Sequence, residues 1–407
     1  MSRVFRVAYL VSHPIQYQAP LLRSLTQQQE IDLTVLFLSD FSTRHYFDRG
    51  FGSDMKWDIP LLDGYHSRFL PVLGGGQQVT FWRPFVYGLS RYLREKPFDA
   101  LWMHGYAHQA NLRALAIAKQ LGIKTLLRGE SHLSSHQRSS AKEWLRCRIL
   151  PKLFNSIDGF LSIGTLNHDY YVHYGVSPNK IFPMPYAVDN VFFREEIQKI
   201  NSKRETFRQG LGLEPGHAVI LFVSKFQSRK RPMDLLLAYA RLLEEMTKGE
   251  PEPYLLFVGD GEEGPELKKS IVEYGLTKAK LIGFKNQTEL PRFYDLCDVF
   301  VLPSEHEPWG LVVNEVMNAG KPVIVSDQVG AGSDLVQDGV NGYIIRVGDV
   351  STLARRIDAV LSNPGLAKEM GRESRRRISG WSFNADACGL VRALEFVTAR
   401  NHDVMYR

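Results

Sequence analysis

The stretch Val299-Phe300-Val301-Leu302-Pro303-Ser304-Glu305-His306-Glu307-Pro308-Trp309-Gly310-Leu311-Val312-Val313-Asn314-Glu315 decides how the rest of the chain is read. Val299 to Leu302 is a short apolar run and reads as a buried strand. A loop with carboxylates follows, and a helix opens after Gly310. Strand, loop and helix in that order form the repeating unit of a parallel sheet, because parallel strands need crossover connections. The start of such a helix offers free N–H groups and the positive end of its dipole, which suit phosphate. Glu307 in the loop and Glu315 on the first turns reach toward one crevice. Carboxylates accept hydrogen bonds from paired hydroxyls, so a sugar is their natural partner. The plainer reading is a favourable charge at a helix start and an exposed helix residue.

The same unit repeats in both directions from this point. Val7 to Val11 precedes a helical stretch near Pro20 to Gln27, then comes Leu33 to Leu38. Ala100 to His104, a helix near Asn111 to Leu121, and Lys124 to Leu127 continue the first half. In the second half Val219 to Val223, a helix from Pro232, Tyr254 to Val258, a helix near Pro265 to Tyr274, and Pro322 to Val325 keep the rhythm. The fold class is therefore α/β, with parallel sheets covered by helices. Ligands of such sheets sit outside the carboxyl ends of the strands, so the loops after strands are where chemistry belongs.

At 407 residues the chain is long enough for two such domains. Pro183-Met184-Pro185-Tyr186 stops regular structure, and a polar segment runs from Arg194 to Gln209. Residues 1–190 read as one domain and 191–380 as a second. Residues 381–407 read as a helical tail able to pack back on either domain, with the N-terminal one as the candidate seat.

Apolar residues at 44% and charged residues at 23% exclude a disordered or collagen-like chain. A formal charge of +6 suits an anionic ligand or lipid surface but is thin for a nucleic-acid binder. No apolar run nears the ~20 residues of a membrane span. The run Val4 to Val11 is broken by Arg6 and does not read as a signal peptide. Three scattered cysteines, Cys147, Cys297 and Cys388, fit a reducing cytoplasm and lack zinc-type spacing.

A second stretch complements the first. Ser224-Lys225-Phe226-Gln227-Ser228-Arg229-Lys230-Arg231-Pro232 follows the strand ending at Val223. Four cations in one strand-to-helix loop would repel each other without an anion. A solvated charge run is the ordinary alternative, but this loop lies at the ligand-binding edge of its sheet.

Glu307 and Glu315, set in Pro-Ser-x-x-Glu-Pro-Trp-Gly-Leu-x-x-x-Glu, resemble the signature of retaining glycosyltransferases of family 4. The Lys225/Lys230 pair, Asn318-Ala319-Gly320-Lys321-Pro322-Val323-Ile324 and Gly339-Val340-Asn341-Gly342 are similar as well. The resemblance is specific over 219–348 and rests on overall pattern before Pro183. It implies the GT-B architecture, two Rossmann-like domains facing across a cleft that holds the active site. It also implies site roles. Glu315 would bond ribose hydroxyls, and Glu307 the hydroxyls of the transferred sugar. The Trp309, Gly310 and Leu311 backbone would approach sugar and phosphate. Lys225 and Lys230 would neutralise the departing diphosphate, and Phe284 would lie where the backbone meets the nucleobase. Stabilising the growing charge on that leaving group is the electrostatic task the reaction sets.

Gly259-Asp260-Gly261-Glu262-Glu263-Gly264 matches a dinucleotide fingerprint. Its three carboxylates would face a pyrophosphate, so it reads as a tight turn instead. No Asp-x-Asp is present to hold a divalent cation, and the lysines supply an equivalent field, so neither metal nor cofactor is expected. In the first domain the loop Ser12 to Tyr17 lacks paired glycines, which leaves His13, Gln16 or Tyr17 free for other work. By position His104 and Glu130 could meet acceptor or sugar; equally, His104 could bond backbone and Glu130 could pair with Arg128. The basic-aromatic stretches 81–94 and 142–154 suit a peripheral lipid contact or a packed helix with a basic edge. Arg375-Arg376-Arg377 reads as an exposed helix face.

The expected function is a retaining, metal-independent hexosyltransferase acting in cell-surface glycan or glycolipid synthesis. Its donor is a nucleoside-diphosphate sugar (UDP- or GDP-linked), and its acceptor a hydroxyl of a glycan or lipid-linked molecule. The expected location is the cytoplasm, with the inner membrane face as an option and no nucleic acid as partner. The alternatives are a sugar-nucleotide epimerase of the same fold, or a non-catalytic nucleotide-binding or lipid-surface protein.

Overall fold

The computed structural model describes residues 3–48, 50–74, 79–133, 140–247 and 249–399. These divide into two units: one takes the described residues of Met1–Tyr46, Ile59–Ala187 and Ser382–Arg407, the other those of Phe47–Asp58 and Val188–Trp381. A boundary placed by composition near 190 does not foresee the segment Phe47–Asp58, which leaves the first unit and joins the second.

The first unit holds a seven-stranded parallel sheet. Across it the strands run Ile181–Pro183, Gly159–Ser162, Lys124–Arg128, Ala100–His104, Phe5–Val11, Ile31–Phe37 and His66–Phe69. Alternate residues of the first strand point to opposite faces. Val7, Tyr9 and Val11 enter one core with Trp102, Leu126 and Leu161. Ala8 and Leu10 enter the other with Leu101, Leu127 and Phe160. Both faces are covered, so the strands read as nearly unbroken apolar runs.

One cover is the last helix, Phe383–Ala399, whose Ala387, Leu390, Ala393, Leu394 and Val397 join the core of Val7 and Tyr9. It lies so close to the strand Ile181–Pro183 that a Cβ added at Gly389 would come within 1.9 Å of the Pro183 carbonyl oxygen. A buried ion pair ties it further: Arg128 Nη2 donates to Asp386 Oδ1 at 3.1 Å, with side chains 1% and 0% exposed. Burial pushes the Asp386 carboxyl up to about 7 against the pull of Arg128.

The second unit holds six parallel strands, in the order Ala279–Gly283, Tyr254–Val258, Val219–Val223, Val299–Leu302, Val323–Ser326 and Gly342–Ile345. Numbered along the chain within this unit, that is 3-2-1-4-5-6, the doubly wound order of dinucleotide-binding folds. The order reverses between Val219–Val223 and Val299–Leu302, and the loops leaving those two strands flank the crevice where such sheets bind ligands. In the first unit the same reversal lies between Phe5–Val11 and Ala100–His104. Among the described residues no helix is long and apolar enough to cross a membrane.

Candidate active site

In the second unit the two loops at the reversal are joined. Glu305 and His306 donate their amides to the Arg229 carbonyl, at 2.8 and 3.4 Å. The Glu307 backbone is pinned from its other side, its amide donating to the Gln328 carbonyl and its carbonyl accepting from the Gly330 amide at 2.9 Å. These bonds aim the Glu307 carboxylate at Lys230, and the two side chains are in ion-pair contact. Burial, with Arg229 and Lys225 near it, pulls the Lys230 ammonium down to about 7.

The four cations of this loop are not left to repel one another; each meets a carboxylate or carbonyl of the protein. Lys225 Nζ donates to Asp48 Oδ1 at 2.7 Å and lies 4.6 Å from the Phe51 ring centre. Arg229 donates to Gln227 Oε1 at 3.1 Å and to the His306 carbonyl at 3.2 Å. Arg231 pairs with Asp234 at 2.6 Å and Glu305 at 3.3 Å. Arg231 also takes a left-handed conformation (φ 53°), uncommon for a residue with a side chain, at the cap of helix Pro232–Glu245.

Helix Leu311–Asn318 starts at Gly310, whose φ of 97° suits glycine and brings the first turn against the Glu307 side chain. Leu311 is half-buried at its start. The Trp309 side chain is buried: its indole N–H donates to Asn314 Oδ1 at 2.9 Å and its ring lies 5.0 Å from that of Trp381. The Trp309 carbonyl accepts the Ala331 amide at 2.8 Å. One turn on, Glu315 accepts a bond from the Tyr294 hydroxyl, and burial raises its carboxyl to about 7 despite that bond.

Phe284 follows strand Ala279–Gly283 and meets two rings from the segment Phe47–Asp58. Phe51 is 4.7 Å away and Trp57 6.5 Å. The segment is held there by Asn286 Nδ2 donating to the Lys56 carbonyl at 2.7 Å and by the Thr288 amide donating to Asp58 at 3.1 Å. Asp48, Phe51, Trp57 and Tyr294 were not legible as site residues. The first three lie in the other half of the sequence, and Tyr294 reads as core.

The glycines of the 259–264 motif serve backbone packing. A Cβ at Gly259 would lie 1.9 Å from the Ser224 carbonyl oxygen, and one at Gly261 2.7 Å from that of Phe226. The turn thus buttresses the Lys225 loop.

In the first unit His13 lies in the loop after strand Phe5–Val11, and His104 ends strand Ala100–His104 across that sheet's reversal. The His13 ring lies 4.3 Å from that of Phe41, tilted by 39°, and burial lowers its imidazole to about 4. His104 Nδ1 is 3.1 Å from the Tyr9 hydroxyl, and its Nε2 is 3.7 Å from Glu130. Glu130 does not pair with Arg128, which is turned down to Asp386. It accepts instead from the Tyr17 hydroxyl at 3.3 Å and from Tyr186. Burial would raise its carboxyl, yet nearby His104 and the bonds from Tyr186 and Tyr17 hold it below the ordinary carboxylate range.

The stretch 142–154 divides: helix Ser140–Asn155 buries Leu150 and Phe154 and exposes Trp144, Leu145 and Ile149. Among the described residues one group of His, Cys and carboxylate could hold a metal ion, Glu143 with Cys147 and His173, in the first unit. None of the lysine-loop residues is in it.

Residues 203–377 match the family model described as glycosyl transferases group 1. Spore coat protein SA of Bacillus subtilis is 32% identical over 195 residues, 45% of this chain and 50% of that protein. N-acetyl-alpha-D-glucosaminyl L-malate synthase of Bacillus anthracis is 26% identical over 208 residues, 51% of each. The chain thus spans about half the length of the curated relatives it matches. Among solved structures, a glycosyltransferase from Rickettsia africae superposes with a TM-score of 0.72 at 14% identity, covering 97% of this chain and 98% of that one. Anabaena Alr3699/HepE in complex with UDP and glucose gives 0.69 at 17%, covering 96% and 99%. The shared feature is the fold, the two parallel-sheet domains of GT-B glycosyltransferases.

Proposed function

We propose that this chain, whose residues 203–377 carry the glycosyl transferases group 1 segment, is a retaining glycosyltransferase that uses a nucleoside-diphosphate sugar. The observation that carries the reading is the pairing of Lys230 with Glu307 across the two loops at the reversal of the second sheet. A cation for diphosphate and a carboxylate for sugar hydroxyls meet at the place where such sheets bind nucleotides. The neighbouring structure solved with UDP supports a uridine donor; a guanosine donor fits the same residues.

In this reading Lys225 leaves Asp48, and Lys230 turns from Glu307, to grip the two phosphates. The helix N–H groups after Gly310 add to that field. Glu307, released, accepts from hydroxyls of the sugar, and Glu315 from those of the ribose. Phe284, with Phe51 and Trp57, gives the base an aromatic wall. The bond from the anomeric carbon to the phosphate oxygen breaks with its electron pair going to the diphosphate. The acceptor oxygen bonds the same face of that carbon, and its proton passes to the departing phosphate oxygen. Preorganised cations lower this barrier most because the charge is largest as the bond breaks. No divalent metal is needed in this scheme. His13, His104 and Glu130 serve the acceptor side, and the product belongs to a cell-surface glycan or glycolipid made at the cytoplasmic face.

The test is incubation with UDP- and GDP-sugars and an acceptor panel, followed by NMR of the product's anomeric proton. Retention of the donor's configuration is expected. An inverted linkage, or an epimerised donor without transfer, overturns the reading.

A further inference from the structure

Helices Ser140–Asn155 and Thr165–His173 of the first unit bring three metal-binding side chains to one point. Glu143 and Cys147 stand one turn apart on the first helix, hence on one face. His173 ends the second helix. A carboxylate oxygen, a thiol sulfur and an imidazole nitrogen, one from each residue, all lie within 4.8 Å of one another. The Cys147 thiol donates to Glu143 Oε1 at 3.7 Å. Two ligands one turn apart on a helix, with a third from another element, is a pattern that holds zinc. Here the third ligand arrives from the next helix, so spacing along the sequence does not announce it.

The surroundings orient these groups. Tyr174, buried beneath them, donates its hydroxyl to the same Glu143 oxygen and accepts from Arg146 Nε at 3.4 Å. Its ring stands at 88° to that of His173, with centres 4.8 Å apart. The His173 imidazole itself makes no hydrogen bond to another described residue. In a tetrahedral site with Zn–S of ~2.3 Å and Zn–O of ~2.0 Å, sulfur and oxygen are about 3.5 Å apart, close to the spacing found here. The remaining separations close to that range by side-chain rotation, since Cys147 and His173 are both exposed. A local hydrogen bond accounts for the thiol beside the carboxylate. It does not account for an unbonded imidazole at the same point.

We propose that Glu143, Cys147 and His173 form an exchangeable site for a divalent cation of the zinc class, completed by water, that ties the two helices together. Thiolate and imidazole select zinc-like ions over magnesium and calcium, which take oxygen ligands. Three protein ligands with an open fourth position make a site that loads and unloads, unlike the closed four-ligand site of a structural zinc. On binding, the Cys147 sulfur loses its proton to solvent and gives an electron pair to the ion. The Tyr174 hydroxyl keeps the carboxylate turned toward it. The proposal is independent of the glycosyltransferase reading. None of the lysine-loop residues belongs to the cluster, and the ion serves the helix pair rather than sugar transfer.

The test takes the full chain without a histidine tag, reduced and stripped of metal, and titrates it with zinc chloride. Cys147→Ser and His173→Ala should each weaken zinc by at least ~10-fold, since losing even an outer partner of a ligand costs that much. Both positions are exposed, and circular dichroism checks the fold of each variant. Cobalt in place of zinc should give thiolate-to-metal charge-transfer absorption that Cys147→Ser abolishes. Alkylation by iodoacetamide, read by mass spectrometry, compares two exposed thiols within one molecule. Zinc should slow modification of Cys147 by at least ~10-fold and leave that of Cys388 unaltered, and magnesium should slow neither. Zinc affinity unaltered by both substitutions would mean adventitious binding elsewhere and overturns the proposal. So does alkylation of Cys147 that zinc does not slow, or cobalt bound without the thiolate band.

Discussion

The Lys225 ammonium lies 2.7 Å from the Asp48 carboxylate, although 177 residues separate them in the sequence. Asp48 Oδ1 also accepts the amides of Gly50 and Phe51, at 2.8 and 3.0 Å. One carboxylate oxygen thus shapes a turn and occupies the cation that a diphosphate would need. On the proposed reading, a diphosphate donor would displace it.

Asp48→Asn keeps an oxygen for the two amides and removes the charge. UDP or GDP should bind about two- to fivefold more tightly to this variant, the range of a partly exposed ion pair. Weaker binding by calorimetry would mean that Asp48 contributes to the ligand rather than competing with it.

Lys225→Ala and Lys230→Ala should lower turnover more than donor affinity, by about a hundredfold in kcat, because their charges matter most as the leaving group gains its own. Turnover should also survive excess EDTA. Equal losses in kcat and in donor affinity, or recovery on adding magnesium after chelation, would count against this account.

Glu315 supplies a pH test. Its carboxyl sits near 7 in the fold against an ordinary 4.5, so the stability it contributes is complete below about pH 4.5 and lost as pH rises through about 7. Glu315→Gln should melt with the parent near pH 4.5. Above about pH 7 it should melt several degrees higher, corresponding to on the order of 1–3 kcal/mol. It should meanwhile weaken nucleotide binding about tenfold through the lost charged acceptor. Coincident melting curves at about pH 8 would remove the basis for this prediction.

Glu130→Gln should slow transfer about tenfold without abolishing it, since no bond to the sugar is assigned to Glu130, and mass spectrometry of the enzyme during turnover should find no glycosyl adduct. Loss of all activity together with an adduct on the parent would replace the same-face mechanism with a double displacement.

Arg128→Leu strands the Asp386 carboxylate in the core. Breaking such a pair costs about 3–5 kcal/mol, and denaturant unfolding should show it in the first unit. An unaltered midpoint would mean that Asp386 is neutral in the parent.

Much of this molecule was legible where neighbours in space are near neighbours in sequence. Val219–Val223, Tyr254–Val258 and Val299–Leu302 declare themselves by apolar runs, and the loops after the first and third of these bring Lys230 to Glu307. Short strands such as Gly159–Ser162 and Ile181–Pro183 are not legible, because four or three residues carry too little periodicity. Asp48 and Phe51 were illegible for another reason. Nothing in residues 47–58 announces that they will belong to the unit built around the sheet of residues 219–345. Glu130 stands out by position alone, because Tyr17 and Tyr186, which hold its charge, come from loops far apart along the chain.

Helix Phe383–Ala399 is made after every strand of both units, yet it helps close the face of a sheet that includes Phe5–Val11. When synthesis has reached Trp381, every strand of the second unit is made and can pair, while Val7, Tyr9 and Trp102 still lack their cover. The first unit's sheet therefore waits for a helix made after the strands of the second. Throughout that interval a nascent chain carries an apolar sheet face covered only in part, by helix Gln18–Thr26, the kind of surface that chaperones hold and that aggregation exploits. A stalled or prematurely terminated product should be found bound to the holding machinery of the cell rather than free as an isolated domain.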